Sequence, residues 1–294
     1  MRVLVTGAGG QVGAAVAGRL ASRCQVVAHG RSTLDLADPA AIAARVREAK
    51  PALIVNAGAY TAVDRAETDR EAAHAINAIA PGVLAEEARK AGALLIHYST
   101  DYVFDGTKGS PYVEDDATNP LGVYGATKLA GERAIAQAGG AYLILRTSWV
   151  YAPRGKNFLA TMLNLAKTRS ELRVVDDQHG APTSAQQLAR ATEGLVSRGL
   201  DAARGASGLY HATASGEVTW CGFARAIFER WAVASPQPFA PPRVVAIPTS
   251  EYPTPARRPA NSRLSNAKLA AAFDLGLGSW EAGLDEALAA LASG

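Results

Sequence analysis

Cysteine is scarce in this chain: only Cys24 and Cys221 occur in 294 residues, far apart in sequence. They form neither a metal-binding nor a redox pair, and their scarcity suits a reducing compartment. The five histidines (His29, His74, His97, His179, His211) have no metal-ligand spacing and read as structural or surface residues. No apolar run reaches the roughly 18 residues of a membrane span. No charged leader with a cleavage site precedes the first apolar run, so no signal peptide is expected. An excess of one charge is missing too. Thirty Lys and Arg against 27 Asp and Glu leave +3, spread along the chain. Even with a pI near 8.9, that balance gives no case for nucleic acid. A cytoplasmic protein with neither membrane nor nucleic-acid partners is expected.

What is present is apolar content, 48% of the chain, enough for a sizeable core and two lobes. Strand-like runs at Val3–Val5, Gln25–Ala28, Leu53–Asn56, Leu94–Tyr98 and Tyr142–Arg146 alternate with helical stretches. The helices fall after Gly10, around Pro39–Ala49, twice between Glu67 and Ala91, and over Tyr124–Ala138. Apolar strands separated by helices predict an α/β fold, a Rossmann-type doubly wound parallel sheet. Later come a helix Phe158–Lys167, a strand Leu172–Val175, a helix Ser184–Ser197, a strand Gly208–His211 and two C-terminal helices. We expect a dinucleotide-binding domain over 1–150, completed by 184–212, and a smaller substrate-binding lobe from 151–183 and 213–294.

Val3-Leu4-Val5 runs straight into Thr6-Gly7-Ala8-Gly9-Gly10-Gln11-Val12-Gly13. A buried strand, a tight turn and a helix start bring free N–H groups together, which suits a pyrophosphate. The spacing Gly7-x-x-Gly10-x-x-Gly13 departs from the ordinary dinucleotide fingerprint, yet Gly7, Gly10, Gln11, Val12 and Gly13 are expected at the cofactor. The second strand ends in His29-Gly30-Arg31, with no acid until Asp35. An acid there would accept from a ribose 2′-hydroxyl, whereas Arg31 suits a 2′-phosphate, so NADPH is expected over NADH. Asp35 and Leu36 are expected to flank the adenine. Tyr124 and Lys128 stand four residues apart on one helix face. A phenol carries a proton to donate, and a nearby ammonium stabilises the phenolate left behind. Thr100 follows Ser99 at the ligand end of the fourth strand, where its hydroxyl can meet the same substrate oxygen.

The glycine turn, the strand-end hydroxyl and Tyr124-Gly-Ala-Thr-Lys128, in that order, resemble the extended short-chain dehydrogenase/reductases. Within that group, longer blocks resemble the dTDP-4-dehydrorhamnose reductase family: Asn56-Ala57-Gly58-Ala59-Tyr60-Thr61-Ala62-Val63-Asp64, His97-Tyr98-Ser99-Thr100-Asp101-Tyr102-Val103-Phe104, Arg146-Thr147-Ser148-Trp149-Val150-Tyr151, Asp177-Gln178-His179-Gly180-Ala181-Pro182-Thr183 and Arg258-Pro259-Ala260-Asn261-Ser262-Arg263-Leu264. The resemblance implies NAD(P)H-dependent reduction of the C4 ketone of dTDP-4-dehydro-6-deoxy-L-mannose, giving dTDP-L-rhamnose for cell-surface polysaccharide, with Thr100, Tyr124 and Lys128 catalytic. It implies Ala57, Ala59, Tyr60, Thr61 and Tyr98 at the cofactor, and Thr100, Asp101, Tyr124 and Trp149 at the sugar. Arg257, Arg258 and Arg263 suit the substrate's diphosphate. Related 4,6-dehydratases carry Asp-Glu after the threonine; here Asp101 is followed by Tyr102. Epimerases share the three catalytic residue types and are harder to set aside. A regulatory protein without turnover and a reductase for another deoxysugar nucleotide also stay open. Some family members dimerise around magnesium held by glutamates, but those positions read Ala15 and Gln186, and the chain ends Leu291-Ala292-Ser293-Gly294 without an acid. No metal-bridged dimer is expected, and the chain is taken as a monomer or weak dimer.

Overall fold

The computed structural model describes residues 1–293; Gly294, the last residue of the expected substrate lobe, lies outside them. The first half runs β1 (Arg2–Thr6), α1 (Gln11–Leu20), β2 (Gln25–His29), α2 (Pro39–Ala49), β3 (Leu53–Asn56), α3 (Val63–Ala66), α4 (Arg70–His74), α5 (Ala80–Ala91), β4 (Leu94–Thr100), α6 (Val123–Gln137) and β5 (Tyr142–Thr147). The second half runs β6 (Val150–Tyr151), α7 (Phe158–Ala166), β7 (Glu171–Val175), β8 (His179–Gly180), β9 (Thr183–Ser184), α8 (Ala185–Ser197), α9 (Leu200–Gly205), β10 (Gly208–His211), β11 (Val218–Thr219), α10 (Trp220–Ala234), β12 (Arg243–Ile247), α11 (Ala267–Phe273) and α12 (Trp280–Ala292). No helix among the described residues is long and apolar enough to cross a membrane.

Local signals explain the element ends. Asp38 caps α2, its carboxylate accepting from the Ala40 and Ala41 N–H groups, with Pro39 in the first turn. Ser184 and Gln187 form a reciprocal capping box at α8. β4 runs two residues past the expected Tyr98, which brings Ser99 and Thr100 into the buried strand. The two helices expected between Glu67 and Ala91 are α4 and α5, joined without a break by a π-helical turn, Ala75–Ile79.

Six parallel strands form the central sheet in the order β10-β5-β4-β3-β1-β2. Its strands are apolar at successive positions because both faces are covered. Val3 and Val5 pack toward α1 and α8, and Leu4 packs on the other face toward α2 and α5. A separate core joins Leu159 of α7, Leu172 of β7, Phe223 and Phe228 of α10, and Trp280 and Leu284 of α12. Gln187 ties this part to the sheet layer, its amide donating to the Leu277 and Ser279 carbonyls.

One ion pair is buried beneath the sheet's ligand edge. Arg146 donates twice to the Glu132 carboxylate, at 2.9 and 2.7 Å, and Ser99 donates to the same carboxylate at 2.5 Å. Both charged side chains are about 5% exposed or less. Removing one charge strands the other without water. Glu132→Ala is therefore expected to destabilise the fold by about 3–5 kcal/mol in urea unfolding; a loss no greater than that of an exposed pair, about 1 kcal/mol or less, contradicts this.

Candidate active site

The turn between β1 and α1 depends on close backbone approach. Gly7 has φ +69°, and a Cβ there would lie 2.4 Å from the Gly58 nitrogen; a Cβ on Gly13 would lie 2.2 Å from the Gly7 oxygen. A side chain at Gly7 would push the turn away from the residues that follow β3, and one at Gly13 would push α1 away from the turn. Gly10 stands at the N-terminal cap of α1 and brings no side chain to satisfy the first-turn N–H groups, and no acid occupies that turn. The helix start therefore offers donors and partial positive charge to an anion. Asn157 reaches across to the same turn, donating to Gln11 Oε1 at 2.8 Å.

The neighbouring strand ends complete this edge. Arg31 is exposed beyond β2, close enough to Tyr60 for its charge to favour the phenolate. Asp35 is also exposed, and its carboxylate accepts from the Ala37 N–H in its own turn. Leu36 packs so closely on Gly58 that a Cβ there would lie 2.4 Å from it. The Ala57–Thr61 segment is pinned by Asn77, which accepts from the Tyr60 N–H at 2.8 Å and donates back to the Tyr60 carbonyl. Asn77 sits in the π-helical turn and was not singled out from the sequence. Only that irregular turn aims it inward, and it has no motif of its own.

Thr100 and Asp101 are buried at the end of β4, facing the start of α6. The Thr100 hydroxyl accepts from the Tyr102 N–H and donates to Asp101 Oδ1 at 3.1 Å. Burial pushes the Asp101 carboxyl up to about 6, against hydrogen bonds with Ser262 and Thr100 that hold it down. Its Oδ2 has no protein partner. Tyr124 lies against Thr100; burial pushes its phenol up and the Thr100 hydroxyl pulls it back. Tyr102 packs edge-on against it, with centroids 5.4 Å apart. Lys128 is wholly buried. Its Nζ donates to the Tyr98 carbonyl at 2.7 Å and lies 3.2 Å from His97 Nε2. Burial lowers the amine from 10.5 to about 8, with Glu132 acting in the opposite direction.

Two expected residues take other places. Tyr98, expected at the cofactor, turns its phenol into the core under α8, where it bonds to the Thr192 hydroxyl; only its carbonyl reaches Lys128. The reason is strand alternation, which sends neighbouring side chains to opposite faces. Arg263, expected at a diphosphate, instead ties chain segments together through Glu217, Asn261 and the Gly109 carbonyl. Arg258 donates to the Tyr102 hydroxyl at 3.0 Å and to Asp64 at 2.8 Å, beside Tyr124, and Arg257 is exposed next to it. Trp149 has φ +50°, stacks on Trp220 at 3.6 Å and covers Gly180. His97, read from the sequence as merely structural or superficial, touches Lys128. Among the described residues no three His, Cys, Asp or Glu gather to hold a metal ion.

Known proteins resemble this chain over nearly its whole length. The family described as "RmlD substrate binding domain" matches residues 1–293. The dTDP-4-dehydrorhamnose reductase of Burkholderia thailandensis is 53% identical over 284 residues, 95% of each chain. The crystal structure of a dTDP-4-dehydrorhamnose reductase from Clostridium acetobutylicum superposes with a TM-score of 0.91 at 37% identity, covering 99% of both chains. That from Bacillus anthracis, solved in complex with NADP, has a TM-score of 0.89 at 35% identity and covers 97% of both. Over nearly its whole length, this chain belongs to the dTDP-4-dehydrorhamnose reductase family.

Proposed function

We propose that the chain reduces the C4 ketone of dTDP-4-dehydro-6-deoxy-L-mannose to the alcohol of dTDP-L-rhamnose, with NADPH as preferred coenzyme. The observation that carries this is the meeting of Thr100 and Tyr124 at a buried sheet edge that also holds Lys128 and an uncapped helix start. Residues 1–150 with 184–212 hold the coenzyme, and 151–183 with 213–294 the sugar nucleotide. A separate apolar core around α7, α10 and α12 supports that division, while Leu269, Phe273 and Leu277 pack into the core of the sheet.

The residues present fit a dinucleotide. The Gly7–Gly13 turn would hold the pyrophosphate through the N–H groups of Gly10, Gln11 and Val12, and Arg31 would hold the 2′-phosphate. Ala57, Ala59, Tyr60 and Thr61 would also hold the coenzyme, with Tyr124 and Lys128 at the nicotinamide ribose. When bound, the reduced coenzyme supplies a hydride to the ketone carbon. Thr100 and Tyr124 orient the ketone oxygen, and Tyr124 gives it a proton. The raised phenol keeps that proton at neutral pH, and a charged Lys128 offsets the cost of the phenolate that follows. Asp101 and Trp149 border the sugar; Arg257 and Arg258 stand ready for its diphosphate. Tyr102 follows Asp101 and donates no carboxylate for proton removal from the sugar, which supports reduction over dehydration.

The direct test offers dTDP-4-dehydro-L-rhamnose with NADPH and identifies the configuration at C4. Absence of coenzyme oxidation, or the opposite epimer, rejects the proposal. Tyr124→Phe is expected to lower kcat about 100- to 10,000-fold with coenzyme Kd little changed. Arg31→Ala is expected to reduce the preference for NADPH over NADH about tenfold, measured as the ratio of kcat/KM values. The lowered Lys128 loses its charge as pH rises through about 8, so kcat/KM falls along that limb; a profile flat to pH 10, near the ordinary lysine value, contradicts it.

A further inference from the structure

His97 is fully buried in the middle of β4, and the reaction above gives it no part. Its Nδ1 lies 2.9 Å from the Asn56 amide nitrogen, and its Nε2 lies 3.2 Å from Lys128 Nζ. The direction of these hydrogen bonds can be fixed from their far end. The Gly58 backbone N–H can only donate, and it donates to Asn56 Oδ1 at 3.2 Å. The Thr6 hydroxyl donates to the same oxygen at 2.6 Å. The NH2 of Asn56 therefore faces His97, and it too can only donate. Nδ1 must accept, which leaves the ring proton on Nε2. That N–H points at the Lys128 amine. An ammonium has no lone pair to receive it, whereas a neutral amine does.

We infer that His97 is a positioning residue that governs the protonation of Lys128, presenting a buried N–H that favours the neutral amine; this rests on the role proposed for Lys128 in the reduction. To charge Lys128 comfortably, the ring must move its proton to Nδ1. Asn56 must then turn over and set its NH2 against the Gly58 N–H, so a favourable bond becomes a donor–donor clash. The other groups acting on the amine are the Tyr98 carbonyl on β4 and Glu132 on its own helix, whose carboxylate is shared with Arg146 of β5. Burial holds the His97 ring neutral, well below the ordinary histidine value, and a protonated Lys128 acts in the same direction.

His211 supplies an internal reference. Its Nδ1 lies 3.1 Å from the Tyr112 carbonyl, an acceptor, so this second buried ring must carry its proton on Nδ1. In protein labelled with 15N-histidine, long-range proton–nitrogen spectra recorded above pH 8, where the Lys128 amine is neutral, should show these two rings as opposite tautomers. His97→Gln then identifies the Nε2–H ring. Its amide oxygen can accept from the ammonium, so the alkaline limb of kcat/KM should move up by about one pH unit. A His97 ring found as Nδ1–H or as imidazolium overturns the inference, and so does an unmoved limb in a folded His97→Gln variant. The tautomers are read from the unaltered protein, whether or not the variant folds. If Lys128→Met keeps the wild-type limb, the role of Lys128 in reduction fails instead, and the tautomer still decides the polarity at His97.

Discussion

A lysine amine removed from water has to find its partners in the protein, and at Lys128 these are the Tyr98 carbonyl and the His97 ring. Both belong to β4, so the face of α6 that carries Lys128 is locked to the sheet by a buried polar contact. Tyr124, one turn earlier, is then held against Thr100 at the end of the same strand. One turn later Glu132 meets Arg146 and Ser99, fastening the helix again from β5 and β4. Three successive turns of one helix thus register against the sheet through buried polar bonds. Such bonds tolerate less sliding than apolar contacts, because a shift of one turn leaves each partner unsatisfied.

The fold was legible where the signal is local. Unbroken apolar strands spaced by helices announced a parallel sheet, and the strand Gly208–His211 falls where the sequence placed it. The glycine turn, the strand-end Thr100 and the pair Tyr124 and Lys128 were legible for a similar reason. Each is a short spacing within one element or at its end. What escaped were contacts made across the fold. Asn77 serves the Tyr60 segment only because a π-helical turn re-aims it, and nothing in Ala75–Ile79 advertises that turn. His97 looked inert because its meaning comes from Asn56 and Lys128, on a neighbouring strand and a helix. Arginine suits any anion, and sequence cannot tell a ligand's diphosphate from Glu217, which is what Arg263 meets.

The second half of the chain is joined to the first by specific polar ties. Asp64, in α3 of the first half, accepts from Arg258 and from the Ala256 N–H. Asn157 meets Gln11 at the start of α1, beside the glycine turn. Arg258 also meets Tyr102, which packs against Tyr124, so the two halves are tied together where Thr100, Asp101 and Tyr124 gather.

Trp149 adopts a left-handed backbone that L residues avoid, and its indole occupies the space a side chain at position 180 would need. Trp220 closes the opposite side of the ring system. Positions 149 and 180 are therefore not free to drift independently. Any larger residue at 180 evicts the indole, and any smaller residue at 149 opens a void over a bare glycine. Descendants of this chain that reshape this packing have to alter both places together, so the two positions are bound to diverge as a pair.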